Sequence, residues 1–369
     1  MNVIQRNFLK LLAAGTFGSD EPLEPMSPYK WRLLFQLSLM HGVAALVYDG
    51  ITIRKDDFNL CLPSDLRASW AKTVTEIERA NQEKNICLSE LFNSLSRQRL
   101  RPILLKGQSI SVIYPNPLHR TSGDIDVYLP YDKQSQDAVE WLSSQSTEYE
   151  SKGRGVTRFI WNNISVEHHV QMQRLTNPLL NRKLQKIINR EIRCCDSYYV
   201  AINGLRIESV PPTLNLLLII ARITGFLLNE GISLKQLVDL GMFLRKIGDK
   251  VDYVLLQSQL EKIGMQKSAD IIGNIMIRMF HFDADELPFM KKVNGETSLD
   301  TIAEVFRTGQ YQADDLYFTQ GKNIFVHSNN SSAMLWHIRH SIRFMRYYPG
   351  EAFTNLFASF AHSLSHIEE

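Results

Sequence analysis

Through residues 1–95 the apolar positions recur at helical intervals. Trp31, Leu34, Leu37, Leu39, Val43 and Leu46 follow the spacing of an amphipathic helix. Ser64 or Asp65 is placed to cap a long helix reaching about Arg97, with Trp70, Val74, Ile77 and Ile86 on its apolar side. Near the start, the apolar run from Phe8 to Ala14 is short and broken by Lys10, so it reads as an amphipathic helix rather than a signal peptide. The pattern changes over residues 96–210. Pro102-Ile103-Leu104-Leu105 is a short buried strand, and a helix is expected from Gly107 to Tyr114, ended by Pro115-Asn116-Pro117. Ile125 to Leu129 is a second strand and Asp132 to Ser143 a helix. Phe159-Ile160-Trp161 and Ile164 to Val170, joined by Asn162-Asn163, form a hairpin. Residues 211–369 return to helical periodicity. Starts are expected at Pro211-Pro212-Thr213 and Gly231-Ile232-Ser233, with further helices around 251–264, 267–281 and 331–347, and a loop from Ser328 to Ser332. The expected class is α+β: a small mixed β-sheet core at 96–210 between an N-terminal helical region at 1–95 and a C-terminal helical domain at 211–369.

Composition narrows the field. With 369 residues, 44% of them hydrophobic, the chain is long enough for more than one core. A net charge of +2 lacks the basic excess of a dedicated nucleic-acid binder. The longest apolar stretch, Leu214 to Leu228, is interrupted by Asn215 and Arg222 and falls short of the roughly 20 residues of a membrane span, so no membrane partner is expected. Cys61, Cys87, Cys194 and Cys195 form no CxxC pair, and the adjacent two suit neither a structural disulfide nor zinc. That usage fits a reducing cytoplasm.

The chemistry concentrates in two short segments. Asp124 and Asp126 are two apart in strand-like sequence, so both carboxylates share a face while Ile125 and Val127 point into a core. Upstream, Lys106-Gly107-Gln108-Ser109 is a glycine turn at a helix start, which offers backbone N–H groups to phosphate. Two convergent carboxylates beside such a turn suit a divalent metal carrying a nucleoside triphosphate. On the later strand, His169 shares the face of Glu167 and His168 opposes it, so the histidine pair diverges and does not make a zinc site. Arg120 fits either a phosphate contact or an ion pair with Asp124. The stretch Arg339, His340, Arg343, Arg346, Tyr347 and Tyr348 is basic and aromatic. It reads first as the solvated side of an amphipathic helix and second as an RNA contact.

These residues resemble the three-part signature of the nucleotidyltransferase superfamily that includes DNA polymerase beta. Lys106-Gly107-Gln108-Ser109 resembles the glycine turn, Asp124-Ile125-Asp126-Val127 the acidic strand, and Val166-Glu167-His168-His169 the strand with the third acidic residue. The wording is closest to an uncharacterised bacterial nucleotidyltransferase-like family, through Leu105-Lys106-Gly107, the Arg120 to Asp126 segment and Glu167-His168-His169. Its helical flanks are similar too, in the Trp31 to Val47 region and from Gly231 to Asp239. The resemblance implies that Asp124, Asp126 and Glu167 are both catalytic residues and metal ligands. It implies Mg2+, as two ions, with Mn2+ as a substitute. It assigns nucleotide contacts to Lys106, Gly107, Gln108, Ser109, Arg120 and His169. The reaction it implies moves an NMP from an NTP to a hydroxyl acceptor (a small molecule, a protein or RNA) and releases pyrophosphate. Two other readings stay open. One is a catalytically weakened nucleotide-binding or scaffold module, favoured by Gln108 standing where the superfamily has serine. The other is an RNA-modifying or toxin-like transferase.

Overall fold

Four helices fill the first 97 residues: α1 (Val3–Phe17), α2 (Pro28–Met40), α3 (Ala44–Ile53) and α4 (Ser64–Arg97). The computed structural model describes residues 1–292 other than 154, 195, 230 and 231, together with 348, 350, 351 and 354. The helix expected at 331–347, the loop at 328–332 and the basic stretch from Arg339 to Tyr347 lie outside the described residues, as does Gly231. The apolar periodicity from Trp31 to Leu46 is real but divided between α2 and α3. Gly42, with φ 65°, breaks it, because only glycine takes that left-handed turn at little cost. α1 and α3 cross with their backbones nearly touching. A Cβ on Gly15 would stand 2.0 Å from the Leu46 carbonyl oxygen, and one on Gly50 1.9 Å from that of Leu11.

α4 starts at Ser64, one residue earlier than a cap there would allow. Pro63 occupies the cap position and Asp65 lies in the first turn, where its charge meets the helix dipole. Leu66, Trp70, Val74, Asn81, Leu88, Leu91 and Leu95 form the buried stripe. Ile86 was expected on that side but is 49% exposed. It lies five residues beyond Asn81, which at 3.6 residues per turn rotates it well off the stripe.

Residues 103–209 build one mixed sheet from β1 (Ile103–Leu104), β2 (Ile125–Tyr128), β3 (Glu148–Gly153), β4 (Val156–Trp161), β5 (Ile164–His169), β6 (Tyr198–Ile202) and β7 (Leu205–Ser209). The strand order is β3-β4-β5-β2-β1-β7-β6. β2 runs parallel to β5 and β1 parallel to β7; the other pairings are antiparallel. The hairpin expected around Asn162-Asn163 is present, both residues having positive φ (48° and 61°) as a two-residue turn of this hand requires. Asn203-Gly204 makes the same kind of turn between β6 and β7 (φ 50° and 75°), a hairpin the apolar pattern did not reveal. The helix expected from Gly107 to Tyr114 is only one turn long, α5 (Gln108–Ser111). Ser109 and Ser111 donate their hydroxyls to the backbone carbonyls of Leu105 and Gln108. The next N–H groups, of Ile113 and Tyr114, bond three residues back, so the helix tightens and stops. α6 (Asp132–Gln145) and α4 pack on one face of the sheet, where Leu88, Leu91, Ala138, Leu142, Ile125 and Val127 share a core.

Further helices among the described residues are α7 (Pro178–Cys194), α8 (Pro212–Asn229), α9 (Leu234–Ile247), α10 (Tyr253–Lys262) and α11 (Gln266–Phe280). The fold is α+β with flanking helices, as expected. No described helix is long and apolar enough to cross a membrane. The chain divides into two units: Met1–Met172 with Ile188–Asn215 and Gly241–Lys250, and Gln173–Ile187 with Leu216–Leu240 and Val251–Glu369. The second unit is helical where described. There the Glu351 carboxylate accepts from the backbone N–H groups of Thr176 (2.8 Å) and Asn177 (2.7 Å), and Tyr348 donates to the Ile263 carbonyl at 3.0 Å.

Candidate active site

The sheet face opposite the α4 core carries the acidic residues, and register explains why they meet. β2 and β5 run in parallel with Asp126 beside Glu167 and Tyr128 beside His169. Side chains of directly paired residues share a face. β2 is buried along its whole length, so Asp126 is 4% exposed and is not one of a solvated polar stripe. One donor atom from each of Asp126, Glu167 and His169 lies within 4.8 Å of the others. Asp124 stands outside that set. It precedes β2 at a bend, half-buried, in the fields of Lys84 and Lys152.

Cations crowd the two carboxylates. His169 Nε2 lies 2.7 Å from Asp126 Oδ1 and 3.6 Å from Glu167 Oε2. Lys106 Nζ is 3.1 Å from Asp126 Oδ1, and Lys152 Nζ is 2.5 Å from Glu167 Oε1. Burial works to raise the Asp126 carboxyl, but the His169 hydrogen bond and the Lys106 charge outweigh it and hold it below the usual range. The His169 hydrogen bond, helped by Lys152, holds Glu167 well below the carboxylate range. Burial works to lower His169, and its bonds to Asp126 and Glu167 win, raising it. His168 turns to the other face, fully buried, 3.0 Å from the Ser135 hydroxyl; burial and the His169 charge lower it to about 4.

The other expected residues fall as follows. Gly107 has φ 73° and ψ −114°, a conformation only glycine adopts readily, and a Cβ there would meet the Asp124 carbonyl oxygen at 3.7 Å, an ordinary contact. Gln108 is 2% exposed and its amide has no hydrogen-bond partner among the described residues. The Ser109 hydroxyl is engaged by the Leu105 carbonyl. Arg120 is buried, with Nη1 3.3 Å from the Ser122 hydroxyl.

Sequence reasoning missed the polar residues that brace this segment. Asn81 donates to the carbonyls of Leu118 (2.7 Å) and Arg120 (3.0 Å), and Lys84 to that of Ser122 (2.6 Å). His119 is clamped between Asp49, 2.7 Å from Nδ1, and Glu78, 2.8 Å from Nε2. A signal existed for Asn81, a polar residue on the same helical stripe as Trp70 and Val74. None existed for Lys152, whose place depends on strand pairing across β3, β4 and β5.

The donor set fits a divalent ion: two buried carboxylates and an imidazole converge, with basic groups to answer phosphate charge. The family model described as uncharacterised nucleotidyltransferase matches residues 27–281, which include every residue of this site. No curated protein and no solved structure matches the chain. The match spans more than half of the sequence, and the chain belongs to this nucleotidyltransferase family, as a transferase whose acceptor is unassigned.

Proposed function

We propose that the protein transfers an NMP from an NTP to a hydroxyl acceptor, with Asp126 and Glu167 holding a divalent cation and Asp124 completing the acidic set toward the solvent side. The observation that carries this reading is the register of β2 against β5, which sets Asp126 beside Glu167 on a buried strand at the end of the Lys106-Gly107 turn. When bound, Mg2+ or Mn2+ supplies Lewis-acid charge that gathers the triphosphate oxygens and lowers the pKa of the attacking hydroxyl. The chain's own residues divide the rest. Gly107 lets the backbone turn so that N–H groups face the phosphates, and Lys106 adds a point charge beside them. The His169 and Lys152 contacts favour the ionised form of Glu167, the form that holds a cation. His169 bridges the two carboxylates and fixes their orientation.

The test is pyrophosphate release and Mg2+-dependent NTP binding, with wild type and Asp126→Asn side by side. The expected result is turnover in wild type and its loss in a folded Asp126→Asn protein. NTP binding with no pyrophosphate released from the NTP, whichever acceptor is supplied, would support the nucleotide-binding module instead. Equal turnover in both proteins would exclude this site.

A further inference from the structure

Lys152 belongs to none of the motifs, yet strand pairing brings it to the acidic centre. It is the extra residue of a β-bulge, where Ser151 pairs with Thr157 and Gly153 with Val156. Alternation puts it on the face of Glu150 and Arg158, which is the face of Glu167 because Arg158 pairs with Glu167. Its ammonium lies 2.5 Å from Glu167 Oε1, while its side chain is 39% exposed. His169 differs: it is 11% exposed and spans both carboxylates.

The charge count matters here. Asp126 and Glu167 face Lys106, Lys152 and His169, so their negative charge is already matched. A divalent cation gains little from carboxylates whose charge is neutralised at hydrogen-bond distance; a cation must withdraw first. A buried imidazole, hydrogen-bonded to Asp126 and close to Glu167, is poorly placed to do so. A long lysine stem on an exposed edge strand can swing at little cost. A triphosphate brings oxygens that receive the ammonium in a charge-assisted hydrogen bond.

We infer that Lys152 is a transferable counter-ion, neutralising Glu167 before ligand enters and passing to the phosphate oxygens when the metal–triphosphate binds. This rests on the metal–NTP reading above. It makes Lys152 a competitor of the free metal and a partner of the triphosphate, so its removal acts on the two ligands with opposite sign.

The experiment uses the full chain and two probes that need no knowledge of the base or acceptor: Mn2+ alone, and inorganic tripolyphosphate in saturating Mg2+, both followed by calorimetry. Lys152→Met is expected to bind Mn2+ about fivefold more tightly and tripolyphosphate about fivefold more weakly than wild type, for one screened charge near the site. Lys152→Arg should stay near wild type for both. Melting temperature should barely move, since the residue is exposed on an edge strand. Asp126→Asn is the control for the underlying site. If wild type and Asp126→Asn bind Mn2+ equally, the metal reading fails and the inference falls with it. If Mn2+ binding depends on Asp126 but Lys152→Met weakens both probes, changes neither, or shifts only one, the inference alone is overturned.

Discussion

Asp126 lies between Lys106 and His169 with 4% of its surface exposed, so its charge is used before any ligand arrives. Asp126→Asn keeps the volume and removes the counter-charge of two cations. The expected outcome is a turnover loss of about 100-fold or more, from the lost ligand charge. A destabilisation of about 1–3 kcal/mol should accompany it, from the lost charged hydrogen bonds; urea unfolding measures the second effect separately from the first. Gly107→Ala tests backbone shape rather than space, because no neighbour stands closer than the Asp124 carbonyl at 3.7 Å. The strained φ and ψ should cost about 1–3 kcal/mol, and NTP affinity should fall as the turn relaxes. Ser109→Ala is expected to cost about 1 kcal/mol of stability through the lost bond to Leu105, with NTP affinity within twofold of wild type.

Helices and turns carry a different set of consequences. The 117–119 turn is tied to α3 and α4 by His119, which bonds Asp49 and Glu78. Burial works to lower His119, but the two carboxylates raise it, so the folded protein holds this proton more tightly than the unfolded chain does. The stabilisation is therefore complete below the ordinary histidine value of about 6.5 and is lost as pH rises through the higher folded value. Wild type should exceed His119→Gln by about 1–2 kcal/mol near pH 6, a figure reduced for the partial exposure of both carboxylates. The gap should narrow toward pH 9; a gap that stays constant with pH would show that the imidazole is neutral. His41 and His168 are common to both proteins and cancel in the difference. Gly50→Ala forces a methyl into the Leu11 carbonyl, and α1 and α3 must separate. Its cost should be about 3 kcal/mol or more, visible as an early melt.

For the molecule as a whole, ligand linkage gives the broadest check. A nucleotide that binds only the folded state at 100 times its Kd stabilises it by about 2.7 kcal/mol. Wild type should therefore melt several degrees higher in Mg2+ and NTP than in either alone. Asp126→Asn should show no such shift, and an equal shift in that variant would place the nucleotide elsewhere.

Periodicity and turn chemistry made much of the fold legible. The stripe of α4, the Asn162-Asn163 hairpin and the apolar run of α8 are local patterns, written within a few residues of one another. The family signature was legible for the same reason, since Lys106-Gly107 and Asp124-Ile125-Asp126 are short contiguous words. What local pattern does not contain is register. Only the parallel pairing of β2 with β5 sets Asp126 beside Glu167 and leaves Asp124 at the strand's edge, and no spacing within one segment encodes that alignment. The same holds for Lys152, carried to Glu167 by a bulge two strands away, and for His119, placed between helices α3 and α4 by packing. The sequence determined the strongly periodic helices, the strands beside the glycine turn and the Asn162-Asn163 hairpin, and most of the residues with the chemistry to act. The tertiary structure decided which of those residues meet, because burial and strand pairing join positions far apart in the chain.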